Sequence, residues 1–215
     1  MPERKGQREP ERREEPSLRS LRAAARACRA CDLWQSATQT VFGDGPAHAA
    51  VMLVGEQPGD QEDKCGVPFV GPAGAVLDRA LADAGVPREN VYLTNVVKHF
   101  KFQQRGKRRL HQRANAEEQA ACRQWLDAEL ARVKPRAVVC LGAVAAHALL
   151  GDSFRLLEQR GRWQQTAAGM RALATVHPSY LLRLRDADRE PAYRAFVRDL
   201  RLVADLAGDA NSASG

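Results

Sequence analysis

Four short apolar runs are separated by segments of helical spacing along the 215 residues: "AAVMLVGE" (49–56), "NVYLTNVV" (90–97), "AVVCLG" (137–142) and "RALATV" (171–176). Each run is only about as long as a strand buried on both faces. The segments between them read as helices. One starts near Ser17 and runs towards Cys28. "GPAGAVLDRALADAG" has Pro72 at its first turn and Gly85 as its stop. "NAEEQAACRQWLDAELARVKP" has Asn115 as N-cap and Pro135 beyond its end. "AVAAHALLG" reads as a short helix and "PAYRAFVRDLRLVADLAG" as a C-terminal one. Strands alternating with helices imply an α/β fold: three layers, α/β/α, around a central, mostly parallel four-stranded sheet. In such sheets ligands bind beyond the carboxyl ends of the strands. That directs attention to residues 55–60, to Asn95 with the loop after it, and to residues 177–179.

Charge singles out one of these places. The formal net charge is +7. The N-terminal twenty residues hold six Lys or Arg and five Glu, so they supply only +1 of it. Between Lys98 and Arg113 there are seven Lys or Arg and no Asp or Glu. A basic stripe of this kind suits a phosphate backbone, although a solvated surface run has the same composition. The segment reads as a long loop, and it contains His111. Residues 1–17 are charged throughout and have no apolar signal-peptide core, so a disordered tail is expected there. Residues 18–207 make one domain, with a flexible end at 208–215. No apolar run approaches the roughly 20 residues of a membrane span. The expectation is a monomeric, cytoplasmic, nucleoid-associated protein.

Cys28 and Cys31 form a C-x-x-C pair, with Cys122 and Cys140 far downstream and Cys65 fitting neither. In a cytosolic chain such a pair suggests metal or redox chemistry, and four thiolates can hold zinc or a [4Fe–4S] cluster. Cys140 in an apolar strand and Cys122 on a helix are equally read as packing. Cys65 is taken as a free thiol.

"GEQPGDQED" after the first strand, then "GVPFVGPAG", "LTNVVKHFKF" and "HPSYLLR", in that order, resemble the uracil-DNA glycosylase superfamily, and within it the iron–sulfur branch, family 4. The resemblance spans residues 28–196. It implies a [4Fe–4S] cluster on Cys28, Cys31, Cys122 and Cys140. Gln57 in "GEQPG" stands where ordinary family 4 enzymes carry a small residue, and they lack the basic insertion. "GEQPG" together with "KRRLH" is similar to the X-type enzymes, in which a histidine of the inserted loop becomes covalently attached to DNA. Leu110 replaces the usual Ile there.

The resemblance implies roles that the residue chemistry supports. Phe69 would stack on a flipped base. The Asn95 amide would donate to uracil O4 and accept from N3–H, the opposite of what cytosine offers. His177 would donate to uracil O2 as negative charge grows on the leaving base. Glu56 would stabilise the cationic sugar or orient its attacker. Gln57 and Asp60 would shape the pocket wall. His111, a good nucleophile when neutral, would attack the sugar C1′. Lys107, Arg108 and Arg109 would grip phosphates, with Ser179, Leu182 and Arg183 at the strand gap. Uracil-containing DNA is the implied partner, single-stranded by preference because flipping is then cheap. Two alternatives stand beside the covalent route: a turnover family 4 enzyme that leaves an abasic site, and a non-catalytic iron–sulfur protein that binds nucleic acid.

Overall fold

The computed structural model describes residues 16–208. The expected disordered tail and the flexible C-terminus fall almost wholly outside these residues. From the N-terminus come α1 (Leu18–Arg26), α2 (Leu33–Ser36), β1 (Val51–Gly55), α3 (Asp60–Cys65), α4 (Pro72–Ala84) and β2 (Val91–Asn95). A hairpin of β3 (Phe102–Arg105) and β4 (Arg108–His111) follows, then α5 (Ala116–Val133), β5 (Ala137–Leu141), α6 (Ala143–Leu150) and α7 (Leu156–Gln159). The chain ends with β6 (Trp163–Gln165), β7 (Arg171–Thr175), α8 (Pro178–Arg183), α9 (Asp186–Arg201) and α10 (Ala204–Gly208).

The helix ends obey their local chemistry. Ser17 Oγ accepts the Ser20 N–H at 3.1 Å, and Asn115 Oδ1 accepts that of Glu118 at 2.8 Å. Helix α4 carries Pro72 in its first turn and stops at Gly85, whose φ of 73° suits a residue without Cβ.

The central sheet has the order β2-β1-β5-β7-β6. Its first four strands are mutually parallel, and β6 adds an antiparallel edge on β7. The sheet therefore has five strands rather than the expected four. β6 is three residues long and polar after Trp163, so no apolar run announces it. Helix α9 begins at Asp186, ahead of the expected start at Pro191, which the helix carries inside.

The strands are buried on both faces, and alternate residues divide two cores. Val51, Leu53, Leu93, Val139 and Leu173 pack with Leu77 and Leu81 of α4 and Phe196 and Leu200 of α9. Met52, Val54, Tyr92, Val138 and Ala172 pack with Leu126 of α5 and Ala145 and Leu149 of α6. Each fully buried Leu or Phe contributes about 1.5–3 kcal/mol. The two cores fix the sheet between its helices and so fix the loops at its carboxyl edge. No helix among the described residues is long and apolar enough to cross a membrane.

Candidate active site

The carboxyl ends of β1, β2, β5 and β7 open into one cleft of about 1040 Å³. Glu56, Gln57 and Asp60 line it after β1, and Asn95 after β2. Gly142 follows β5, His177 follows β7, and Phe69 comes from the loop before α4. The residues expected to face the base and its sugar therefore meet in one place. Gly55 makes the floor possible, because a Cβ there would collide with Asn95 Oδ1 and the Phe69 ring. Phe69 itself sits at φ 56°, an unusual conformation for a bulky residue, and Gly74 closes tightly on its carbonyl.

Three polar atoms in this cleft are buried without a hydrogen-bond partner: Glu56 Oε1, Gln57 Oε1 and Asn95 Oδ1. Buried acceptors are ordinarily paired. Three orphans on residues that line one cavity point to a polar ligand there. His177 supplies the donor. Its Nδ1 accepts the Ser179 backbone N–H at 3.2 Å, which places the ring proton of the neutral form on Nε2. Burial, aided by His111 and Arg183, pushes the His177 pKa down to about 4, so the ring is neutral at physiological pH. Its ring lies 6.1 Å from that of Phe69.

The basic segment is a hairpin, not the expected loop. Phe102 pairs with His111 and Arg105 with Arg108, leaving Gly106 and Lys107 as the turn. Gly106 has φ 57°, as a two-residue hairpin turn requires. Neither strand shows an apolar alternation, since the hairpin packs little of its surface. Its position is nevertheless fixed. Gln57 Nε2 donates to Lys101 O at 3.2 Å and Gln112 O at 2.8 Å, pinning both ends. Lys101 pairs with Glu118 of α5 at 2.9 Å. Arg109 bonds Asp60 at 2.5 Å and Asp63 at 2.6 Å while its guanidinium covers Phe100 and Phe102. These ties hold His111 at the cleft mouth, half exposed, with Nε2 4.0 Å from Glu56 Oε1. That separation brings imidazole and carboxylate to the same opening without joining them.

Residues 42–201 match the family model described as the uracil DNA glycosylase superfamily. The chain belongs to that superfamily. It is 39% identical over 159 residues to a type-4 uracil-DNA glycosylase of Thermotoga maritima, covering 74% of this chain and 79% of that one. A type-4 enzyme of Archaeoglobus fulgidus is 39% identical over 192 residues, 85% and 89% of the two chains. A third, from Pyrobaculum aerophilum, is 35% identical over 193 residues, 86% and 92%.

Within this glycosylase frame the expected phosphate grip divides. Lys107 and Arg108 are exposed at the hairpin tip. Arg109 is instead spent on Asp60 and Asp63, because the pairing register turns its side chain inward. Ser179 also looks inward, onto His177 Nδ1 at 2.8 Å, and Arg183 reaches Ser179 Oγ at 3.0 Å. Leu182 and Tyr180 remain exposed on α8 at the rim.

The four cysteines divide as well. Cys28 and Cys31 both perturb Cys122 through space, and burial pushes the Cys122 thiol up to about 11. Cys140 lies in β5, and burial alone raises its pKa, with no contribution from another thiol. Cys140 is fully buried in the same core as Cys122, and Cys31 packs against that core. Among the described residues, no three His, Cys, Asp or Glu side chains gather as a single metal ion requires. Cys65 is exposed, as expected. His99, read from the sequence as a structural or phosphate-adjacent residue, is buried, with Nε2 2.9 Å from Thr40 Oγ1. Thr40 in turn bonds the carbonyl of Ala25. The amide of the preceding Lys98 donates to Cys122 Sγ at 3.2 Å.

Sequence reasoning missed the carboxylates beneath the loops. Glu62 accepts the N–H of Gly59 at 3.0 Å and that of Gly71 at 2.7 Å, tying the two loops that wall the pocket. Its place three residues after Gly59, at the start of a helix, is a capping-box signal that was available. Leu157 of α7 and Arg113 also line the cleft and had no motif to announce them.

Proposed function

We propose that the protein releases uracil from DNA, single strands foremost, and then joins itself to the exposed sugar through His111. The observation that carries this reading is the tethered hairpin that presents His111 over the same cleft as Asn95, Glu56 and His177. In the reaction, the flipped base stacks on Phe69 while the orphaned Asn95 Oδ1 accepts uracil N3–H. Cytosine offers no proton at that position, so the buried acceptor penalises it. The bond between C1′ and uracil N1 breaks, and its electron pair leaves with the base. His177 Nε2–H donates to the oxygen on which that charge accumulates. Glu56 faces the cationic sugar. A ring nitrogen of His111 then bonds to C1′, and the imidazole's other proton is given up to solvent or to the departing uracil. The two X-type signatures support this final step, since Gln57 is the residue that pins the hairpin. Single strands are favoured because no pairing is lost when the base turns out.

The donor set near α1 fits an iron–sulfur cluster in part. Cys28 and Cys31 from one segment and Cys122 from α5 supply three soft thiolates, and a cubane bound at its corners holds its ligands farther apart than one ion does. His99 is the fourth donor proposed in place of Cys140, since it follows directly on the Lys98 amide that bonds Cys122 Sγ. When bound, such a cluster is a rigid tie among α1, β2 and α5.

The test is a uracil-containing single-stranded oligonucleotide mixed with the protein and run on a denaturing gel. A band that survives SDS and heat, absent in His111→Gly while uracil is still released, is the expected result. Release of uracil with an alkali-labile strand and no shifted band would assign a turnover enzyme. A complex seen only on a native gel would assign simple binding.

A further inference from the structure

We infer that the buried Lys98–Glu129 pair is a positioning device for the base-reading amide of Asn95, an inference that rests on the uracil-binding role given to Asn95 above. Both side chains are fully buried, with Nζ and Oε2 2.6 Å apart. All three ammonium protons are used: on Glu129 Oε2, on Thr94 Oγ1 at 2.7 Å and on the Asn95 carbonyl at 2.6 Å. Glu129 is equally committed. Its Oε1 accepts the Gly43 N–H at 2.8 Å and the Tyr92 hydroxyl at 3.1 Å, and its Oε2 also accepts Thr94 Oγ1 at 2.8 Å.

Stability does not explain this arrangement. A buried ion pair is often no better than apolar side chains of the same volume, because desolvation consumes the attraction. The pair stands inside an apolar core where Leu126 and Val133 of the same helix show what would otherwise fit. What apolar residues could not do is hold the Asn95 carbonyl.

That carbonyl needs holding. Asn95 is the last residue of β2, aligned with Gly55 of β1. The next amide, Val96 N–H, donates to Gly55 O at 2.9 Å. The peptide unit joining Asn95 to Val96 is thus pinned at both ends, its N–H by Gly55 and its C=O by Lys98. The side-chain Oδ1 above it has no partner of its own. With nothing bonding that oxygen before substrate arrives, its aim is set by the backbone beneath and by contact with Gly55 and Phe69. Fixing the reader before binding avoids an ordering cost at the moment of recognition. Glu129 extends the hold to α5, the helix that also pairs with Lys101 at the hairpin root.

The test is the double variant Lys98→Met/Glu129→Gln, which removes both charges together and keeps a carbonyl for Gly43 and Tyr92. Three quantities are read on the full chain: the single-turnover rate of uracil release at saturating protein, the concentration of free uracil that halves it, and the affinity for an oligonucleotide with a stable abasic analogue. We expect release and uracil inhibition to weaken together by about tenfold to a hundredfold, the cost of a misplacement near 1 Å, while abasic-analogue affinity holds. Wild-type release and inhibition would overturn the inference. So would a parallel loss of abasic-analogue affinity, which would mean a general loss of shape. Asn95→Ala is the control. If it leaves uracil inhibition intact, the reading of Asn95 falls, and this inference with it. If Asn95→Ala loses inhibition and the double variant does not, only the role of the pair falls. Should the double variant not fold, Lys98→Gln/Glu129→Gln, two amides able to bond each other, is read in the same way.

Discussion

Arg109→Ala separates an anchor from a phosphate contact, and its effect can be worked from the local geometry. The guanidinium is 15% exposed and meets two carboxylates of unequal environment. Asp63 is fully buried, and without Arg109 its Oδ atoms keep only the Thr38 backbone N–H at 2.9 and 3.1 Å. Stripping the partner from a buried charge costs about 3–5 kcal/mol. Asp60 is a third exposed and keeps Lys64, so its share is nearer to the roughly 0–1 kcal/mol of a surface pair. A loss of about 3–4 kcal/mol in a domain of this size lowers Tm by roughly 10 °C. The assay is thermal unfolding followed by circular dichroism, with Arg108→Ala alongside. Arg108→Ala should melt with the wild type but bind DNA more weakly, with a log–log salt slope reduced by about 1. If Arg109→Ala instead melts with the wild type and flattens the salt slope, Arg109 belongs on DNA and the inward register of the hairpin is wrong.

Gln57→Ala removes both bonds that pin the hairpin root, about 1–3 kcal/mol of restraint; covalent trapping should slow roughly tenfold to a hundredfold while uracil release, read by chromatography, changes little. Equal loss of both activities would place Gln57 in base recognition instead. His177 has a folded pKa of about 4 against an ordinary value near 6.5. Its contribution to stability is full above about pH 6.5 and is lost as pH falls towards 4, by about 3 kcal/mol in all; urea titrations of His177→Asn should show a flatter stability profile across that window, and identical profiles would refute the assignment. Cys28→Ser, Cys31→Ser and Cys122→Ser should each remove the brown colour and the broad blue absorbance of a cluster. Cys140→Ser should keep them, and a colourless Cys140→Ser protein that remains folded would return Cys140 to the ligand set.

What the sequence revealed, and what it hid, follows from how each element earns its place. β1, β2, β5 and β7 are buried on both faces, so their composition alone announces them, and the ends of three of them carry Glu56, Asn95 and His177. β6 and the hairpin are held by hydrogen bonds and charge pairs rather than by burial, and neither leaves a hydrophobic period to read. The turn residue Gly106 was the one local sign. The same reasoning explains Arg109 and Arg108, adjacent cations with opposite fates: only the strand register sends one to Asp63 and the other to solvent. Lys98 lay inside the basic stripe and was counted with it, yet it is buried, because its partner Glu129 comes from a helix far along the chain. Cys140 was read as a ligand through family order, and its strand position puts it in the same core as Cys122.

The hairpin is also an appendage. None of residues 102–111 is buried, and its strands pair only with each other. Its ties run to Gln57 after β1, to Asp60 and Asp63 of α3 and to Glu118 of α5. The group proposed to make the covalent bond is therefore carried on a part that adds no residue to either hydrophobic core and is held to the domain chiefly by Arg109 on buried Asp63. The turn at Gly106 and Lys107 can therefore change length without disturbing either core, whereas the Arg109 end cannot be removed without leaving Asp63 buried and unpaired.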